Sequence, residues 1–171
     1  IVRYWKPEFH PDESKSLEDW ADEIHTTVRE IMPEVKDENE VAASFLSGGV
    51  DSSYVLAMSD IQTAAACGYE EERFDESVLA AKTAQLLKRD FNRRVISPEE
   101  YFEIVPYVMY NMEQPLGDAS AIVFALGCRA AAEKAEICYS GEGADEFFGG
   151  YNMYRNAERY GDNLKTFYVG N

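Results

Sequence analysis

A chain of 171 residues can enclose a sizeable core, and 46% hydrophobic with 28% charged residues is the balance of an ordinary globular protein. The formal net charge of -16 disfavours nucleic acid and anionic membranes as partners, since neither would meet a broad basic surface. No apolar run is long enough to span a bilayer, and the first residues lack the long apolar centre of a signal peptide.

In chain order, residues 4–14, with Pro7 and Pro11 among charges, read as an irregular lead-in. Ser16 then caps a predicted helix with Glu18 and Asp19 in its first turn. Leu17, Trp20, Ala21, Ile24, Val28 and Ile31 share one face, and Pro33 ends it. Trp20 is expected in the core and His25 at the surface. Residues 41–46 form a first buried strand, and a helix runs from Asp51 to about Ser59. Residues 63–67 form a second strand of small residues, ended by Gly68. Phe74-Asp75-Glu76-Ser77 opens a helix through Leu79, Leu86 and Leu87, with Lys88 and Arg89 in its last turn. Residues 94–96 are a third strand. Ser97-Pro98-Glu99-Glu100 starts a helix carrying Tyr101, Phe102, Ile104, Val105 and Val108; its aromatics read as core, and Pro106 predicts a kink. Residues 114–118 turn into an apolar helix over 119–134, and residues 137–139 are the fourth strand.

Strands alternating with helices predict an α/β fold, a parallel sheet flanked by helices on both faces, in one domain over 1–171. Ligands of such sheets sit beyond the carboxyl ends of the strands, so loops following different strands share one crevice. Cys67, Cys128 and Cys138 are well separated and lack Cys-x-x-Cys spacing, which suits a reducing cytoplasm and argues against zinc.

Two loops carry chemistry. Ser47-Gly48-Gly49-Val50-Asp51-Ser52-Ser53 follows the first strand and enters a helix. Its glycines allow close approach of the backbone, while successive N–H groups, the helix N-terminus and the serine hydroxyls make a phosphate cradle. Asp51 would repel a phosphate unless a divalent cation lies between them, which implies magnesium. The run is neither a Walker A loop nor a Gly-x-Gly-x-x-Gly turn. Ser140-Gly141-Glu142-Gly143-Ala144-Asp145-Glu146-Phe147-Phe148-Gly149-Gly150-Tyr151 follows the fourth strand. Clustered acids among glycines make a poor structural segment, and a metal near Asp145, paired across the crevice with Asp51, would compensate.

The first run resembles the pyrophosphate loop (PP-loop) of the ATP pyrophosphatases. The two motifs together, about ninety residues apart, are similar to the synthetase domain of glutamine-hydrolysing asparagine synthetases, as are Tyr4-Trp5, Phe74-Asp75-Glu76-Ser77 and Gln114-Pro115-Leu116-Gly117-Asp118-Ala119-Ser120. The resemblance implies a Rossmann-like, adenine nucleotide alpha hydrolase-like fold. It implies ATP-dependent synthesis of asparagine from aspartate and ammonia through β-aspartyl-AMP, releasing AMP and pyrophosphate. By that likeness Leu46, Cys67, Gly68, Ser140 and Gly141 line the nucleotide pocket, and Ser47, Gly48, Gly49, Val50, Asp51 and Ser52 hold pyrophosphate. Asp51 and Asp145 bind Mg2+, Glu142 orients or deprotonates ammonia, and Tyr151 lines the same site.

The departures carry their own expectations. The family has an N-terminal glutaminase domain with a cysteine nucleophile, and this sequence starts at Ile1 without one; ammonia would come from a glutaminase domain outside it. The family's catalytic lysine lies downstream of the Gly-Gly-Tyr segment, and neither Lys134 nor Lys165 matches it, so a chain stopping at Asn171 reads as an inactive fragment of a longer enzyme. Cys67 and Ala119 stand where a branched aliphatic residue and a proline are usual. A β-lactam synthetase or another amide-forming adenylating enzyme would show similar loops, and a non-catalytic Mg-ATP-binding module would retain them too. Homodimer formation stays open.

Overall fold

The computed structural model describes residues 2–6, 8, 10–35, 40–71, 73, 75–115, 117 and 119–155. Of the residues named above, Ile1, Pro7, Phe74, Leu116, Asp118, Lys165 and Asn171 lie outside them. The chain divides into two compact units, Ile1–Asp37 and Glu38–Asn171.

The first unit is built on α1 (Leu17–Ile31). Ser16 Oγ accepts the Asp19 N–H at 3.1 Å while Asp19 Oδ2 accepts the Ser16 N–H at 2.8 Å, a capping box in which aspartate takes the usual glutamate position. The helix passes into a 3-10 turn, Met32–Glu34, at Pro33. Trp20 is not a core residue: α1 contains no buried residue, and Lys15 Nζ lies 4.2 Å from the Trp20 ring centroid as a cation–π contact. Within a unit of one helix and one short turn, no second described element closes over the apolar stripe.

The second unit is an α/β layer structure. Among the described residues four strands, β1 (Ala42–Phe45), β2 (Thr63–Tyr69), β3 (Asp90–Ile96) and β4 (Ile137–Tyr139), pair in parallel in the order β3-β2-β1-β4. The chain steps outward from β1 through α2 (Val50–Met58) to β2, and through α3 (Ser77–Leu86) to β3. It then crosses back through α4 (Pro98–Met112) and α5 (Ser120–Ala132) to place β4 on the far side of β1. The direction of winding therefore reverses between β1 and β4, and the loops leaving their carboxyl ends flank that switch point.

Period-two alternation sends successive strand side chains to opposite helical layers. Ala64 and Ala66 pack with Leu46, Leu56, Ala80 and Ala84 on the α2 and α3 side, whereas Ala43 and Ala65 pack with Ala131 of α5 on the other. A third cluster of Ile96, Ile104, Val108, Ile122 and Leu126 joins the end of β3 to α4 and α5. Each fully enclosed leucine among these is worth about 1.5–3 kcal/mol of burial.

Three local expectations change. Gly68 does not end β2, because β3 starts at Asp90 and its register gives Val95 to Gly68 and Ile96 to Tyr69. β3 is an edge strand, so Asp90, Asn92, Arg93 and Arg94 keep their polar groups at the margin where an apolar run is not required. α4 stays helical through Pro106 to Met112. Phe102 on α4 is 71% exposed, so its aromatics are not simply core.

The start of α3 is pinned to β3 by a polar knot. Asp75 Oδ1 accepts the Ser77 N–H at 3.0 Å and the Ser77 hydroxyl at 2.5 Å; Arg93 donates through Nε to Ser77 Oγ at 2.6 Å and through Nη2 to Asp75 Oδ2 at 2.7 Å. The Asp75 side chain is only 5% exposed. The Ser77 hydroxyl first, and then the Arg93 guanidinium, hold its carboxyl below the ordinary 3.8. A folded-state value below the unfolded one contributes stability that is present in full above the unfolded value and is lost as pH falls through the folded value. Asp75→Asn is therefore expected to lower stability at neutral pH by about 1.5–3 kcal/mol, the range for hydrogen bonds to a charged group. It should also flatten the loss of stability in acid below about pH 4, as read by urea midpoints measured across pH.

Candidate functional site

The first loop is shaped before any ligand arrives. Leu46 N–H donates to Ala65 C=O at 2.8 Å, holding the chain beside β2 up to the turn. Gly48 then adopts φ +88°, and a Cβ there would lie 3.0 Å from Leu79 Cβ and 3.1 Å from Ala80 N, so only glycine makes this corner. Ser47 N–H donates to Ser52 Oγ at 3.2 Å, the two hydroxyl oxygens are 3.1 Å apart, and Gly49 N–H donates to Ser47 Oγ at 3.2 Å. The turn is thereby tied to α2. Gly49 is the cap residue of α2 and supplies no capping side chain, so first-turn N–H groups and the positive end of the helix dipole remain for an anion.

The second loop is pressed onto the first. A Cβ on Gly141 would lie 2.6 Å from Ser52 N and 2.9 Å from the Asp51 carbonyl carbon, so the backbones of the two motifs are in direct contact. Ser140 Oγ accepts the Glu142 N–H at 3.3 Å. The short α6 (Ala144–Phe148) follows, and Gly150 N–H returns to Asp145 C=O at 3.0 Å. The Asp145 carboxylate fills the side-chain space that Gly150 leaves, where a Cβ would be 1.8 Å from Oδ1. Tyr151 donates its hydroxyl to Glu146 Oε1 at 2.8 Å before α7 (Asn152–Arg155) begins. That bond, then desolvation and the Glu146, Asp145 and Glu142 charges, push the phenol up to about 12. Tyr151 is therefore a neutral phenol whose proton is committed to Glu146 and whose oxygen still accepts.

Two adjoining cavities result. A cleft of about 180 Å³ is lined by Ser47, Gly49, Asp51 and Ser52 from the first loop and by Gly141, Glu142, Asp145 and Tyr151 from the second, with Phe45 and Glu146. A larger cavity of about 860 Å³ lies over the ends of β1, β2 and β3, with Leu46, Cys67, Ile96, Tyr101, Val123 and Phe124 among its walls. Phe45, Ser47 and Glu142 line both. Burial pushes the Cys67 thiol up to about 11, which leaves it a neutral, apolar piece of wall.

Four residues expected at the site stand outside both linings. Gly48 faces α3, Val50 is 82% exposed on the first turn of α2, and Ser140 acts through the Glu142 N–H. Gly68 has its side-chain direction on the opposite face of β2 from Cys67, over Ser77, Asp75 and Arg93, because adjacent strand residues alternate. Conversely, Phe45, Tyr101 and Phe124 line the cavities although the sequence marks them only as apolar.

The donor set fits a magnesium ion shared with a nucleotide. Among the described residues no group of three or more His, Cys, Asp or Glu could hold a metal unaided. Asp51 and Asp145 nevertheless face one cleft, and magnesium is commonly held by one or two carboxylates completed by phosphate oxygens and water. Neither lining includes Lys, Arg or His, so amides and a cation would have to balance phosphate charge. No described helix is long and apolar enough to cross a membrane.

A family model described as asparagine synthase matches residues 19–168. The chain is 35% identical over 160 residues to asparagine synthetase [glutamine-hydrolyzing] 1 of Bacillus subtilis, covering 89% of this chain and 24% of that protein. It is 29% identical over 161 residues to a putative asparagine synthetase of Mycobacterium tuberculosis (91% and 25% covered), and 30% identical over 177 residues to amidase chry2 of Gibberella zeae (89% and 26%). The chain thus spans about a quarter of the length of these relatives.

Proposed function

Because the chain belongs to the asparagine synthase family, we propose that it is the ATP-cleaving part of an amide-forming ligase that adenylates the side-chain carboxylate of aspartate and passes it to ammonia. The observation that carries this reading is the contact of Gly141 with the backbone of Asp51 and Ser52. It merges the two loops into one polar cleft that opens beside an apolar cavity of a size suited to a nucleoside.

In this reading adenosine occupies the larger cavity against Leu46 and Cys67, and pyrophosphate lies against the Ser47–Ser52 turn and the first turn of α2. Asp51 and Asp145 hold magnesium together with the phosphates, and the ion, when bound, offsets charge on the departing pyrophosphate. The carboxylate oxygen attacks the α-phosphorus and pyrophosphate leaves, giving β-aspartyl-AMP. Ammonia then attacks the acyl carbon and AMP leaves with the bonding pair, giving asparagine. Glu142, which lines both cavities, takes the surplus proton of the attacking nitrogen, and Tyr151 with Glu146 closes the acidic side of the cleft. The ammonia is supplied by a glutaminase domain outside this sequence.

The test is aspartate-dependent exchange of labelled pyrophosphate into ATP by the protein at its full natural length. Exchange with aspartate is the expected result, and ATP binding without exchange by any carboxylic acid would reduce the site to a nucleotide-binding module. The match to amidase chry2 favours a second reading, a different carboxylic acid activated on the same loops; exchange with another acid but not aspartate would establish it. Asp51→Asn should weaken Mg-ATP binding by about tenfold to a hundredfold, the loss of about 1.5–3 kcal/mol in a charged interaction. It should leave folding intact because Asp51 is exposed. Unchanged affinity in calorimetric titration would remove Asp51 from the metal site.

A further inference from the structure

We propose that Phe45 is the partition that keeps water from the activated acyl group and so couples ATP cleavage to amide formation. The inference rests on the adenylation reading above. A nucleotide whose nucleoside fills the larger cavity and whose pyrophosphate fills the cleft must pass its α-phosphate through the wall that the two share. That wall includes Phe45, Ser47 and Glu142. The mixed anhydride therefore forms there, with its acyl carbon open to whichever nucleophile reaches it. Attack by ammonia breaks the carbon–oxygen bond, yields the amide and releases AMP. Attack by water breaks the same bond, returns the free acid with AMP, and wastes the ATP.

Ser47 and Glu142 are polar and attract water, whereas Phe45 presents an apolar ring at the same junction. Its position is over-determined. Gly127 of α5 leaves no room behind the ring, since a Cβ there would lie 2.1 Å from Phe45 Cε2 and 2.7 Å from Cδ2. Phe124, one helical turn earlier, meets the ring edge-on, with centroids 5.6 Å apart and planes at 74°. Phe45 also ends β1 in register with Ala65 of β2, so the backbone beneath the ring is held as well. A glycine in mid-helix is unfavourable by itself, and accommodation of this ring accounts for Gly127.

The experiment measures pyrophosphate released per amide formed in the protein at its full natural length, for wild type, Phe45→Leu and Phe45→Ala. Each ratio is read beside that variant's own aspartate-dependent pyrophosphate exchange, so weaker nucleotide binding does not mimic the effect. Phe45→Ala should raise the excess of that ratio over one, the share lost to water per amide formed, about tenfold, equivalent to about 1.4 kcal/mol of lost discrimination between ammonia and water. Phe45→Leu, which keeps a smaller apolar wall, should raise it less and carries the test if the alanine variant does not fold. A wild-type ratio in a variant that still exchanges overturns the role of Phe45 and leaves adenylation standing. Absence of exchange in the wild type overturns the adenylation reading and this inference together.

Discussion

Gly141→Ala is expected to reduce Mg-ATP affinity by at least about a hundredfold, equivalent to about 2.7 kcal/mol, and to lower the midpoint of thermal unfolding. The added Cβ meets backbone, 2.6 Å from Ser52 N and 2.9 Å from the Asp51 carbonyl carbon, so no rotamer change relieves the contact. Retreat of α2 is blocked. Ser52 is 6% exposed with its hydroxyl held at Ser47, and Leu56, one turn on, is fully buried in the sheet cluster. The second loop must therefore lift, which separates Glu142 and Asp145 from Asp51 and opens the cleft on which nucleotide binding depends. The strain itself costs about 1–3 kcal/mol, as overpacking usually does. Gly117→Ala is the control, because nothing lies within 4 Å of a Cβ there. Calorimetric titration with Mg-ATP and a melting curve for both variants decide the matter; wild-type affinity in Gly141→Ala would mean that the two loops do not act as one site.

The order of strands and helices was legible because each buried strand is a short apolar run ending in punctuation, Ser47-Gly48-Gly49 after β1 and Ser140-Gly141 after β4. β3 begins four residues before its apolar signal because an edge strand does not need apolar residues on both faces, and Asp90 to Arg93 carry none of that signal except Phe91. At the site, residues named for chemical type came together well: Ser47, Asp51, Ser52, Glu142, Asp145 and Tyr151 line one cleft. What sequence could not supply is direction. Cys67 and Gly68 are neighbours in a motif yet point to opposite faces of β2, one to the cavity and one to the Asp75 knot. Phe45, Phe124 and Gly127 are invisible for a related reason, since apolar residues at strand and helix spacing look like core until the topology puts the end of β1 beside a cavity. The failure at Trp20 is of another kind: an amphipathic stripe reports an apolar face, and whether anything covers it is a tertiary fact.

Glu142→Gln is expected to leave aspartate-dependent pyrophosphate exchange close to wild type while amide formation falls by about a hundredfold to ten-thousandfold, the usual contribution of a positioned general base. The two half-reactions ask different things of this side chain. In adenylation a carboxylate that is already ionised displaces pyrophosphate from ATP, so no proton has to be accepted. Attack by ammonia leaves the new nitrogen with a proton that must depart before the amide is neutral, and a carboxylate at the junction of the two cavities is placed to take it. Glutamine keeps the length and shape of the side chain and its hydrogen-bonding capacity but cannot serve as that base. The backbone is not at issue, since the Glu142 N–H donates to Ser140 Oγ in either variant. The split between exchange and amide formation is therefore the diagnostic. Equal loss of both would move Glu142 into the adenylation step, where it would act on magnesium or phosphate beside Asp51 and Asp145, and full turnover in the variant would remove it from the chemistry. The split is the outcome its position on both cavities favours, because a residue serving pyrophosphate alone would need to line only the cleft.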